Sequence, residues 1–330
     1  MSTQATPRVG PATAADVAAR AGVSRTTVSH ILNGRGDRFP PSTRDRVLTA
    51  AKDLDYRPSP AGRNLVNGRS DTVVVLAPNT TWGPNLQDSV EQVARDVEPF
   101  GGTAFVRFVG DEEGAATVSS ILMLRPLAVV DLGVLTAEDR QRLRDHGVIT
   151  LPHTAPEGAP GLDRTIAEMQ LRELHRSGKR TIYFGALSDT RLDQYGPHRF
   201  AHLSDLRREA GLPQPVWVDI PLEIDGAVAA IKSIARAEPV GFACYNDDVA
   251  LAVVAAASRL GIRIPEDLAV VGVDHTPVGQ LWTPPLTTID VNVRAIMDAS
   301  IHDLEKELGR AVPETTHRIE LARLIPGGTS

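Results

Sequence analysis

Residues 23–34 read Val-Ser-Arg-Thr-Thr-Val-Ser-His-Ile-Leu-Asn-Gly, and Asp-Val-Ala-Ala-Arg-Ala-Gly occupies residues 16–22 just before them. This pairing predicts a helix, a tight turn at Gly22 and a second short helix. The second helix starts on an N-capping Ser24 and stops at Asn33-Gly34. Its outer face carries Arg25, Thr26, Ser29 and His30. These are hydrogen-bonding side chains of the kind that meet base edges in a major groove. The helix pair therefore implies double-stranded DNA as a partner.

Working outward, residues 1–12 are a Pro/Gly/Ala/Thr leader whose composition predicts disorder. After a loop at Arg35-Gly-Asp-Arg-Phe-Pro-Pro41, a third helix is expected over about 42–55, with Val47, Leu48, Ala51 and Leu54 as its apolar positions. Val47 and Leu54, with Val17, Ala18, Val23, Val28, Ile31 and Leu32, would make the core of a small three-helix unit over 13–57. Residues 58–70 read as a linker too short to be helical alone. Residues 1–69 hold 11 Lys and Arg against 5 Asp and Glu, in a chain whose formal net charge is -6. A basic head on an acidic body is the asymmetry expected when one small domain meets phosphates.

From Asp71 the pattern changes. Apolar runs (Val73–Ala77, Ala104–Val109, Leu127–Leu132, Val148–Leu151, Thr181–Gly185, Val240–Tyr245, Ala269–Val273) alternate with amphipathic stretches. Continuous apolar strands separated by helices mean an α/β fold with a doubly wound parallel sheet. About 250 residues is too much for one open sheet, so two lobes are expected. The single cysteine, Cys244, excludes an intramolecular disulfide and a cysteine-cluster zinc site. No metal or cofactor is implied. No membrane span or secretory signal is legible, which gives a cytoplasmic chain with no membrane partner. G-x-S-x-G, Walker A, H-E-x-x-H and dinucleotide-binding glycine patterns do not occur, so an enzyme is the weaker reading.

These blocks resemble the lactose-repressor/galactose-repressor (LacI/GalR) family of bacterial transcription regulators. Asp16–Gly34 is similar to the family's helix-turn-helix head; Thr43–Leu48 and Leu54–Pro58 to its third helix and exit; Ala61-Gly-Arg-Asn-Leu65 to its hinge. Asn246-Asp247, Ile264–Asp274 and Thr283–Ile289 are similar to its C-terminal half. The resemblance covers about residues 13–325. It implies a hinge at 58–70 and a two-lobed, periplasmic-binding-protein-like effector and dimerisation domain at 71–330. The N-lobe would hold about 71–158 and 291–312, and the C-lobe about 159–289 and 313–325.

It also implies roles. Arg25, Thr26 and His30 would contact bases, and Thr13, Ser24, Ser29 and Arg57 would help position the head on DNA. Leu65, flanked by Arg63 and Asn64, would wedge into the minor groove at the centre of a near-palindromic operator, with C·G there, when two chains bind together. Candidate effector residues are Arg199, Asn246, Asp247, Asp274 and the adjacent His275 in the C-lobe, with Trp82 and His153 on the N-lobe side. Asp247 reads equally well as a helix cap, and Trp82 as a core or dimer-surface residue. The expected function is that of a homodimeric repressor modulated by a small polar effector, a sugar or sugar derivative. A regulator sensing a nucleoside or purine, or using no small-molecule effector, stays open.

Overall fold

Three helices make the N-terminal unit of the computed structural model: α1 (Ala14–Ala21), α2 (Arg25–Leu32) and α3 (Pro41–Asp53). The structure describes residues 12–32, 36–57, 70–79, 84–98, 102–110, 114–152, 161–234, 238–309 and 320–330. The chain divides into Met1–Asp71 and Thr72–Ser330. α1 begins with a capping box in which Thr13 and Asp16 satisfy each other's backbone N–H groups. It ends at Gly22, whose φ of +64° is the left-handed conformation expected at that turn. Ser24 Oγ accepts the Thr27 N–H at 3.1 Å and so caps α2. The stop at Asn33-Gly34 lies outside the described residues, as does most of 58–70.

Val17, Ala18, Ala21, Val28, Ile31, Val47, Ala50 and Ala51 form the head's buried core, with Val23, Leu32, Phe39 and Leu54 packed against it. Of the four apolar positions expected along α3, Leu48 is 52% exposed, and Ala50 joins the buried face. The face that turns inward runs 47, 50, 51, 54, and a residue at 48 stands about 100° away from Val47 around the axis.

Thr72–Ser330 contains two sheets. The first has the order β2-β1-β3-β4, from β1 (Thr72–Pro78), β2 (Thr103–Val109), β3 (Ala128–Asp131) and β4 (Ile149–Leu151). All its pairings are parallel. Alternation along β1 divides the core: Val73 and Val75 face Val93 and Val97 of α4 (Pro84–Val97) and Met297, Ile301 and Leu304 of the late helix α12 (Val293–Glu307). Val74 and Leu76 face Val118 and Ile121 of α5 (Gly114–Leu124) and Leu143 of α6 (Ala137–Asp145). A buried strand with helices on both faces must be apolar at every position, which is why the run Val73–Ala77 shows no polar alternation.

β2 departs from that expectation. The run Ala104–Val109 reads as a covered strand, yet β2 is the sheet's edge, and Phe105 is 59% and Phe108 44% exposed. An edge strand has one pairing neighbour, and the helices that sandwich the centre of the sheet leave both of these side chains partly exposed.

The second sheet has the order β10-β9-β8-β7-β5-β6, from β5 (Thr181–Leu187), β6 (Val216–Ile220), β7 (Val240–Cys244), β8 (Leu268–Val273), β9 (Thr288–Val291) and β10 (Ala322–Ile325). It is parallel except for β10, which runs antiparallel to β9. α7 (Leu162–Arg176) and α8 (Gly196–Glu209) pack together, as do α9 (Ile224–Lys232) and α10 (Asp247–Arg259). A short α11 (Pro277–Leu281) follows β8. The chain leaves the first sheet after β4 and returns to it as α12. It then goes back to the second sheet as β10, so it passes between the sheets three times.

Candidate nucleic-acid interface and ligand cleft

On α2, Arg25 and Thr26 are exposed, while Ser29 and His30 are half-buried on the same side, opposite the buried Val28 and Ile31. The outward face of this helix is thus a contiguous polar strip. The hydroxyls of Thr13 and Ser24 are engaged in capping α1 and α2, so these two residues hold the helices in place. Arg57 is exposed beyond α3. Arg63, Asn64 and Leu65 lie outside the described residues. The segment after α2, a loop in the sequence, has a part in this face. The Phe39 ring lies 6.3 Å from that of His30, and the Arg38 guanidinium carbon sits 5.3 Å from the Phe39 centroid. Phe39 therefore supports the C-terminal end of the strip and brings a cation beside it.

In Thr72–Ser330 a cavity of about 400 Å³ opens between the two sheets, at the C-terminal ends of their strands, where parallel sheets place ligands. Arg199, Asn246 and Asp274 all line it. Arg199, on the first turn of α8, is 8% exposed. Its Nε donates to Asp163 Oδ1 at 3.1 Å and its Nη1 to the Tyr245 carbonyl at 2.6 Å. Its guanidinium lies 5.5 Å from the Tyr195 ring and 5.3 Å from that of Tyr245. Burial works against the charge, but Asp163, Tyr245 and Asp274 outweigh it and hold the guanidinium above the usual arginine range. Asn246 caps α10, its Oδ1 accepting the Val249 N–H at 3.0 Å. Asp274 follows β8 with φ +100°, a conformation that turns the chain sharply at the cavity wall.

Asp247 is not the helix cap that the sequence offered as its alternative role, because Asn246 holds that position. It is fully buried and absent from the cavity lining. Its Oδ1 accepts from Thr288 Oγ1 at 2.5 Å, and its Oδ2 from the Thr276 N–H at 2.7 Å and Oγ1 at 3.1 Å. Burial pushes its carboxyl up to about 7, against these hydrogen bonds. Asp247 thus ties the start of α10 to the loop after β8 and to β9, which braces Asp274 from behind. His275 is half-buried with φ +50°, its N–H donates to Thr288 Oγ1 at 3.4 Å, and it too lies off the cavity lining. Trp82 and His153 lie outside the described residues.

The sequence missed Asp131, Arg140, Asp163, Tyr195, His202 and Tyr245, all of which line the cavity. Two of them carried a usable signal. Asp131 closes a buried strand as Asp274 follows one, and Tyr245 directly precedes Asn246. Asp131 is fully buried, pairs with Arg140 at 2.5 Å and accepts the N–H groups of Val134 and Leu135 at 2.7 and 3.2 Å. Among the described residues no group of three or more His, Cys, Asp or Glu could hold a metal. No helix there is long and apolar enough to cross a membrane.

Comparison with known proteins agrees with this geometry. Residues 13–59 match the family described as "Bacterial regulatory proteins, lacI family", and residues 171–330 match the periplasmic binding protein-like domain. An HTH-type transcriptional regulator from the aml 5' region of Streptomyces limosus is 30% identical over 354 residues, covering 95% of each chain. The HTH-type transcriptional repressor PurR of Vibrio vulnificus is 29% identical over 306 residues, covering 84% of this chain and 86% of that protein. The ribose operon repressor of Halalkalibacterium halodurans is 27% identical and covers 93% of each. Among solved structures, the lac repressor dimer bound to operator and the anti-inducer ONPF shares the fold, with a TM-score of 0.76 at 21% identity over 97% of this chain and 99% of that one. The chain belongs to the LacI family of bacterial transcription regulators.

Proposed function

We propose that this protein is a cytoplasmic, non-enzymatic repressor that binds a near-palindromic operator as a homodimer. We further propose that a small neutral polyhydroxylated ligand, a sugar or sugar derivative, sets its DNA affinity from the cleft. The polar strip of α2 supports the DNA half, with Arg25 offering a bidentate contact to guanine and Thr26 and His30 reading neighbouring edges. Two exposed apolar patches suit a second copy. One is the β2 edge, with Phe105 and Phe108 on its opposite faces; the other holds Leu222 and Trp282 beside α9 and α10.

The observation that carries the effector half is the charge balance of the cavity. Its described lining holds Asp131, Asp163 and Asp274 against Arg140 and Arg199, with no lysine. Asp131 pairs with Arg140 and Asp163 with Arg199. Such a lining offers many hydrogen-bond acceptors and no surplus cation, which favours neutral hydroxyls over a phosphate or carboxylate. Thermal shift of the full chain against neutral mono- and disaccharides, their phosphates, nucleosides and purines tests it. The expected result is a shift with a neutral saccharide that disappears in Arg199→Ala. A shift confined to phosphorylated sugars or to purines would replace the reading, and no shift with any of these would favour a regulator without a small-molecule effector.

A further inference from the structure

On the first-sheet side of the cleft, Asp131 gathers the N–H groups of Val134 and Leu135 and so folds residues 132–135 into a fixed turn. That turn presents the Leu132 carbonyl to the cavity. On the other side, the buried Asp193 accepts the Gly196 N–H at 3.1 Å and fixes the start of α8. This presents Tyr195. The two presentations meet: Tyr195 Oη donates to the Leu132 carbonyl at 2.5 Å, across the cleft. The ring lies so close to Gly133, at φ +93°, that a Cβ there would stand 3.1 Å from Tyr195 Cε1. Tyr195 also packs on the Arg199 guanidinium, so the contact is joined directly to the candidate ligand wall. A buried carboxylate organises each half of this contact.

We propose that Tyr195 and the Leu132–Gly133 turn form a latch that favours the closed cleft before any ligand binds, making Tyr195 a positioning residue for the effector response. The latch rests on the reading of this cleft as the effector site. A ligand that prefers the closed form then binds a chain already biased towards it, and its apparent affinity rises with the closed fraction. One buried neutral hydrogen bond corresponds to about a two- to tenfold change in the closed-to-open ratio.

The test uses the full-length protein without ligand. Dyes at Glu138→Cys on α6 and Ala201→Cys on α8, both exposed positions, report the distance across the cleft, and the native Cys244 is buried. One labelled protomer is paired with an unlabelled partner, and single-molecule energy transfer gives the closed-to-open ratio. Tyr195→Phe, which keeps the ring, is expected to lower that ratio about two- to tenfold while the thermal midpoint stays within about 2 °C. Gly133→Ala, whose Cβ crowds the ring and strains the turn at φ +93°, is expected to move it in the same direction. A ratio unchanged in both variants overturns the latch. Because no ligand is present, that failure is separate from failure of the saccharide reading, which the thermal-shift panel decides.

Discussion

The head and the cleft solve opposite problems with similar residue types. On α2 the groups proposed to meet DNA, Arg25 and Thr26, stand exposed on a core made by other residues. In the cleft, Arg199 and Asn246 are buried, and each already serves a structural partner, Tyr245 with Asp163 or the start of α10. The difference teaches that recognition and stability are separable in the head and coupled in the cleft. A DNA surface must be reached by a large, rigid partner, so its side chains project. A cleft that encloses a small ligand must hold its polar groups in place while the site is empty, and those groups then satisfy one another.

The largest effect that would break this comparison is expected at Asp247. Asp247→Ala leaves the Thr276 N–H and the hydroxyls of Thr276 and Thr288 without their acceptor. It should destabilise the Thr72–Ser330 unit by about 3–5 kcal/mol, read by urea unfolding. A loss under about 1 kcal/mol would mean the carboxylate is not a structural hub. Next in size, Arg25→Ala should cost about 1–3 kcal/mol of operator discrimination with no change in the thermal midpoint. Parallel losses of binding and stability would merge the two regions the comparison separates.

A smaller, pH-dependent effect sharpens the contrast. Burial raises Asp193 and Asp247 from 3.8 to about 7. Between those values the folded chain keeps protons that the unfolded chain has released, so these groups make stability fall as pH rises from about 4 to about 7. His175, lowered by burial and by Arg207 and Arg180, works the other way below its unfolded value. The informative quantity is therefore the difference between wild type and Asp193→Asn/Asp247→Asn. The double variant should gain relative stability between pH 5 and pH 8, and a gap that is flat with pH would contradict the assignment. Smallest of all, Leu48→Ser should change head stability by no more than about 0.5 kcal/mol, because that side chain is half exposed. A larger loss would place it in the core after all.

How much of this was legible depended on whether the signal was local. The turn at Gly22, the cap at Ser24 and the apolar strands at Val73–Ala77 and Ala269–Val273 are written in adjacent residues, and backbone chemistry alone reads them. Leu48 reads as apolar in the sequence but stands about 100° around the axis from Val47, off the face that runs 47, 50, 51, 54. Phe105 and Phe108 looked buried because a sequence does not say which parallel strand will be the edge. In the cleft, Arg199, Asn246 and Asp274 were recognised from the family pattern, but what distinguishes Asp274 on the wall from Asp247 behind it is a contact with Thr276 and Thr288, 29 and 41 residues away in the chain. Tyr195 was invisible for the same reason: its partner, Leu132, is 63 residues upstream.

The most direct test of the central claim joins both regions in one titration. Operator DNA selected from a random pool is bound by the wild-type chain and by Arg199→Ala, with and without the saccharide that gives a thermal shift. We expect that ligand to change wild-type operator affinity at least about fivefold, in either direction, and to leave the Arg199→Ala affinity unmoved while its ligand-free binding stays intact. An operator affinity indifferent to every cleft ligand, or a full response in Arg199→Ala, would contradict the account.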